Sequence, residues 1–224
     1  MSVQQDKFKE IADAIRGKTN STDKIKPSEF ASKVNDVYEA GKAEGTEHFN
    51  QLVEGTYSGA IDNDKVTRVK QYCFASCRSI TSINLPNVTQ VDAYGFLSCE
   101  QVTSINLPSV TNLGTLAFRL CLRVTHIDLG APAQIQASTF QDCSRLVTVI
   151  IRTPTLAPLA NTNAFANCHH FLGTTHSAYN PTGAKDGYVY VPKALVDSYK
   201  TATNWVTYAD QIRAIEDYPE ITGG

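Results

Sequence analysis

Phe74-Ala-Ser-Cys77-Arg-Ser-Ile80-Thr-Ser-Ile83-Asn-Leu85-Pro-Asn-Val88-Thr-Gln-Val91 is followed by Phe96-Leu-Ser-Cys99-Glu-Gln-Val102-Thr-Ser-Ile105-Asn-Leu107-Pro-Ser-Val110-Thr-Asn-Leu113. A phenylalanine returns every 22 residues with a cysteine three places behind it, at Phe74/Cys77, Phe96/Cys99, Phe118/Cys121 and Phe140/Cys143, and after three extra residues at Phe165/Cys168. Self-similarity at this period means stacked units rather than one globular core. The third unit places Val124, Ile127 and Leu129 in the apolar slots, and the fourth Leu146, Val149 and Ile151. The last two slots alternate, as a short strand buried on one face requires.

Pro86 and Pro108 follow the alternating pair, where a residue without an N–H ends a strand and turns the chain. A second apolar pair follows, Val88/Val91 and then Val110/Leu113, and Val66/Val69 extends the same register backwards by 22 residues. The repeat therefore starts near residue 56. The pattern of this unit, aromatic-x-x-Cys-x-x-apolar-x-x-Ile-x-Leu-Pro, resembles the BspA-type leucine-rich repeat over about residues 65–171. The resemblance implies a solenoid. The expected fold is thus an α+β repeat: a leucine-rich-repeat solenoid of about five 22-residue turns, with an N-terminal helical segment and a C-terminal strand-helix cap. The expected division is 1–55 for helical attachment or oligomerisation, 56–187 for the solenoid, and 188–224 for the cap.

In residues 6–16, Phe8, Ile11, Ala12 and Ile15 share one helix face that stops at Gly17. A second helical segment starts near Pro27, where Phe30, Val34, Val37 and Gly41 follow the spacing of a short coiled coil or hairpin, making the first three candidates for self-association. The wording Ile11-Ala12-Asp13-Ala14-Ile15-Arg16-Gly17-Lys18-Thr19, then Asp23-Lys24-Ile25-Lys26-Pro27-Ser28-Glu29-Phe30-Ala31, is similar to a module near the start of tail and minor structural proteins of phages and prophages of Gram-positive hosts. That resemblance implies a virion-associated protein. Capping of the repeats by these helices stays open beside oligomerisation and attachment. At the other end, Tyr188-Val-Tyr-Val-Pro192 reads as a strand, Ala194 to Tyr199 and Tyr208 to Ile215 as short helices, and Trp205 as a buried residue covering the last turn.

The 224 residues carry a net charge of −2, which offers no electrostatic case for nucleic acid or an anionic membrane. Residues 1–54 hold eighteen of the forty-two charged side chains. The repeats are mostly Ser, Thr, Asn and Gln outside their apolar slots, a neutral surface suited to glycans or protein partners. Five of the six cysteines sit at one repeat position, where a thiol behaves as a small buried hydrophobe. The first ten residues lack the apolar core of a secretory signal, so synthesis without a signal peptide is expected.

Chemistry is sparse. His169, His170 and His176 lie near Cys168, but that cysteine occupies the ladder position and no nearby carboxylate completes a set, so neither metal nor cofactor is expected. Glu100 and Asp142 read as exposed turn residues. No nucleophile elbow or phosphate loop is present, and no enzyme activity is expected. Recognition remains. If Ile83/Leu85 and their equivalents face inward, Ser82/Asn84, Ser104/Asn106, His126/Asp128 and Thr148/Ile150 stand side by side on the opposite face, either as a binding surface or as an ordinary solvated one. His176, Tyr179 and Asn180, in the insertion 172–187, are the second binding candidate, with cap packing as the alternative.

Together these readings favour a non-enzymatic phage tail accessory or receptor-binding protein, whose partners are tail or baseplate proteins or a host surface protein or glycan. The alternatives are a bacterial surface adhesin of the same repeat family and an intracellular scaffold.

Overall fold

The computed structural model describes residues 59–222. The chain divides into two compact units, 1–57 and 58–224, and the described residues fall in the second. The helical expectations for 6–16 and 27–41, and the self-association residues Phe30, Val34 and Val37, lie outside the described residues.

The described unit is a repeat fold with parallel strands. One sheet has seven strands, in the order β1 (Gly59–Asp62), β3 (Ile80–Asn84), β5 (Ser104–Leu107), β7 (His126–Leu129), β8 (Thr148–Ile151), β9 (Tyr188–Val191) and β10 (Ile212–Ala214). A second sheet has three two-residue strands, β2 (Arg68–Val69), β4 (Gln90–Val91) and β6 (Asn112–Leu113). Its line continues as the bridge between Ile135 and Leu159. Registers follow the sequence period: Ile83 pairs with Ile105, Ile105 with Ile127, and Val91 with Leu113. The alternating apolar slots are the buried ones, with Ile83, Leu85, Ile105, Leu107, Ile127 and Leu129 at most 1% exposed.

The third side of each repeat is a run of tight turns around the phenylalanine. Tyr94 and Ser98 take positive φ (62° and 58°), as do Leu116 and Leu120 one repeat later (60° and 63°). The left-handed residues send alternate N–H groups in different directions. Gly95, Leu97 and Cys99 donate back to the carbonyls of Asp92, Tyr94 and Phe96, while Tyr94, Phe96 and Ser98 donate to Thr115, Ala117 and Arg119 of the next repeat. Every side of a repeat is therefore hydrogen-bonded to its neighbour, so little backbone polarity is left unpaired. Gly114 permits the close approach: a Cβ there would stand 2.1 Å from the Ala93 nitrogen.

The core is a column of rings. Phe74, Phe96, Phe118, Phe140 and Phe165 stack with centroids 5.2, 5.6, 5.8 and 5.1 Å apart, and Phe171 continues the column at 4.6 Å. The cysteines run beside it. Cys99, Cys121, Cys143 and Cys168 are buried, and each Sγ donates to the carbonyl of the previous repeat's phenylalanine at 3.0–3.3 Å. Burial pushes the Cys143 thiol up and the Cys168 thiol well up, away from the reactive thiolate. Cys73 is exposed and Cys77 half-buried. Burial of its sulfur pushes the Cys73 thiol up to about 12, so a thiol reagent added to the native protein is expected to label Cys73 and Cys77 slowly and the other four only on unfolding; prompt labelling of Cys121 or Cys143 would contradict the packing.

One expectation about the ends needs correction. Tyr208 to Ile215 does not form one helix: a 3-10 turn covers Trp205–Gln211, and Ile212–Ala214 becomes the seventh strand beside β9. At the start of the repeat, β1 pairs with β3 through Ile61 and Ile83. Trp205 is fully buried, as expected. Among the described residues the α-helices are α1 (His169–Leu172) and α2 (Val196–Thr201).

Candidate functional site

Strand alternation turns Ser82 and Asn84 of β3, Ser104 and Asn106 of β5, and His126 and Asp128 of β7 toward one face, and the parallel register lines them up. One row runs Ser82, Ser104, His126, Thr148, Tyr188, and a second runs Asp62, Asn84, Asn106, Asp128, Ile150, Tyr190, Arg213. Neighbouring members stand on strands about 4.8 Å apart. The sheet thus brings together the residues read as its outward face, though not all are accessible.

Ser82, Asn84, Ser104, Asn106, His126 and Thr148 are partly exposed. Asp128 is only 7% exposed, because Arg152 grips it through two hydrogen bonds, Nε to Oδ1 at 2.9 Å and Nη2 to Oδ2 at 2.6 Å. Its hydrogen bond in turn raises the Arg152 guanidinium further above its usual value. Ile150 is fully buried and is no contact residue. The cause lies next door: β9 sets Tyr190 beside Ile150, Tyr218 packs edge-on to Tyr190 at 5.4 Å, and Arg213 lies over the Tyr188 ring at 4.4 Å. The C-terminal segment closes this end of the face. The open part spans β1 to β7.

Burial lowers the His126 pKa, and Arg152 adds to the effect while Asp128 opposes it. The fold therefore holds this imidazole neutral at a pH where the unfolded chain takes up a proton. Stability is present above the ordinary imidazole value of about 6.5 and is lost as pH falls through it. His169 is shifted the same way, by burial and by His176 and His170. His126→Gln is expected to flatten the decline of the melting midpoint between about pH 7 and pH 5; an unchanged slope would contradict the assignment.

The insertion forms a separate cluster. His176 and Tyr179 stack at 4.5 Å, His169 sits 4.8 Å from His176, and Arg145 lies over Tyr179 at 5.8 Å. Asn180 is 1% exposed and is the hub of the loop rather than a contact residue. Its Nδ2 donates to the His169 and Ala184 carbonyls, its Oδ1 accepts from Ala184 N, and its backbone pairs with His176. The sequence reading saw no carboxylate near these histidines, yet the loop folds Asp186 back to within 2.6 Å of His170 Nδ1. Among the described residues no His, Cys, Asp and Glu group has metal-binding geometry. Asp142, expected exposed, is largely covered by hydrogen bonds from Arg119 and Asn167. Glu100 pairs with Arg78.

Sequence reasoning missed Asp62, Arg152 and Arg213 on this face. Asp62 was readable as Asn84 minus one repeat; the two arginines join through contacts a repeat or more away.

Residues 59–172 match the BspA type leucine rich repeat region, in six copies. Among solved structures, a leucine rich cell surface protein from Faecalibacterium prausnitzii A2-165 is similar at 24% identity and a TM-score of 0.43, over 50% of this chain. The similar region spans 30% of that protein's chain. No curated protein matches.

Proposed function

We propose that this chain, which belongs to the BspA-type leucine-rich repeat family, is a non-enzymatic interaction protein, an adhesin or binding scaffold of a bacterial cell surface, that meets its partner with the open face of the seven-stranded sheet. The observation that carries this reading is the in-register polar row Asp62, Asn84 and Asn106, exposed or partly exposed and joined by side-chain hydrogen bonds between strands. Repeat proteins bind through extended faces of this kind. In this reading the repeats wind as one solenoid, residues 188–224 cap it, and residues 1–55 attach it or join copies of it through Phe30, Val34 and Val37.

Labelled full-length protein on bacterial and host cells is the test. Asn106→Arg places a long charged side chain in the middle of the face and is expected to abolish cell binding at an unchanged melting midpoint; undiminished binding would sink the proposal. Light scattering on the full chain tests the oligomer, which a monomeric mass contradicts.

A second reading, a virion tail protein, is favoured by one observation, the phage-like wording of Ile11–Thr19 and Asp23–Ala31. Genes for tail, baseplate, holin or lysin proteins beside this one would support it, and a neighbourhood without them would count against it.

A further inference from the structure

The outward row of the sheet cannot satisfy its own hydrogen bonds. Asn106 Nδ2 donates to Asn84 Oδ1 at 2.7 Å, and Asn84 Nδ2 donates to Asp62 Oδ1 at 2.9 Å. The next member, Asp128, is a carboxylate that accepts from Arg152. The row from Asp62 to Asp128 has three junctions: Asp62/Asn84, Asn84/Asn106 and Asn106/Asp128. An amide presents its donor to one neighbour and its acceptor to the other, and a carboxylate only accepts. Two amides between two carboxylates therefore supply two donors for three junctions. Turning either amide over only moves the mismatch. As folded, it falls between Asn106 Oδ1 and the Asp128 carboxylate.

A donor from outside completes such a junction, and the surroundings select its class. Arg152 balances Asp128 and, among the described residues, Asp62 is the row's one carboxylate without an ion pair, so the row repels a polyanion and offers a basic peptide only a single charge. Between β1 and β7 it offers Asp62, Asn84 and Asn106, with Ser82, Ser104 and His126 beside them and Asp128 buried at its end, and none of the aromatic or large aliphatic anchors that carry protein–protein affinity. What fits is a neutral ligand dense in hydroxyl groups, which both donate and accept. Building on the proposed recognition role of this face, we infer that the surface between β1 and β7 binds a neutral carbohydrate chain lying across the strands, one hydroxyl of which donates to Asn106 Oδ1, the acceptor left open beside the buried Asp128.

The full chain is titrated calorimetrically with a neutral glucan, mannan and galactan, and with polygalacturonate as the anionic counter-probe. A neutral polysaccharide is expected to bind. Asp62→Asn gives the row three amides and one carboxylate, hence a donor for every junction, and is expected to weaken that binding roughly tenfold without lowering the melting midpoint. Asn106→Leu, which deletes the open acceptor, is expected to abolish it. The inference is overturned if none of the neutral polymers binds and water alone fills the junction. It also fails if polygalacturonate is preferred, or if neutral binding is unchanged in both variants. Should cells be bound in an Asn106→Arg-sensitive way while no polysaccharide is, the recognition role stands and the carbohydrate ligand falls.

Discussion

Phe118→Ala is expected to destabilise the protein by about 3–5 kcal/mol, the range for deleting a buried phenylalanine. Phe118 is fully buried, with Phe96 at 5.6 Å on one side and Phe140 at 5.8 Å on the other. Two neighbours thus lose a stacked partner at once. Relaxation cannot easily refill the space, because the backbones of adjacent repeats are tied by hydrogen bonds such as Phe118 N to Thr139 O and Phe96 N to Ala117 O. A loss of that size is a large share of the roughly 5–15 kcal/mol that holds a domain together. Ser104→Ala, on the outward face, serves as the control and should shift the melting midpoint little. Equal shifts for the two would mean that the ring column is not the core.

Trp205→Ala is expected to cost a similar amount, about 3–5 kcal/mol, by uncovering the far end of the column. Trp205 is fully buried, meets Tyr199 edge-on at 5.2 Å and lies 6.2 Å from Phe165. Its Nε1 donates to the Ala157 carbonyl at 2.8 Å, and Ala157 N donates to the Tyr199 hydroxyl at 3.0 Å. The cap therefore closes both backbone groups of Ala157, which would otherwise be buried without partners. Trp205→Phe separates the two contributions: it keeps most of the apolar volume and leaves the carbonyl unpaired, a cost of about 1–3 kcal/mol. Urea unfolding of both variants is the measurement. Wild-type midpoints would show that the last turn is covered by something else.

The repeat was legible because four Phe/Cys pairs recur in one phase, a fifth follows three residues late, and the apolar slots between the first four agree. Phe171 joins the column without belonging to that phase, so periodicity could not find it. The strand Ile212–Ala214 was hidden for another reason. Three residues carry too little pattern to separate strand from helix, and the partner strand that decides the matter lies at Val189–Val191. Ile150 carried a signal that went unused. It occupies the slot of Asn84, Asn106 and Asp128, and an isoleucine among outward amides and a carboxylate already says that this end is covered. The left-handed turns at Tyr94, Ser98, Leu116 and Leu120 were not legible at all, since none of these residue types favours positive φ. They are held by the hydrogen bonds to the next repeat, which exist only once neighbours are in place.

The most direct measurement is a set of ring-to-ring nuclear Overhauser contacts in protein labelled only at phenylalanine. With centroids 5.1–5.8 Å apart, Phe74, Phe96, Phe118, Phe140 and Phe165 should give an unbroken series of cross-peaks, each ring to the ring one repeat away. Missing contacts between Phe96 and Phe118, or rings in rapid contact with water, would contradict the packing from which the outward face follows and on which its proposed role in recognition rests.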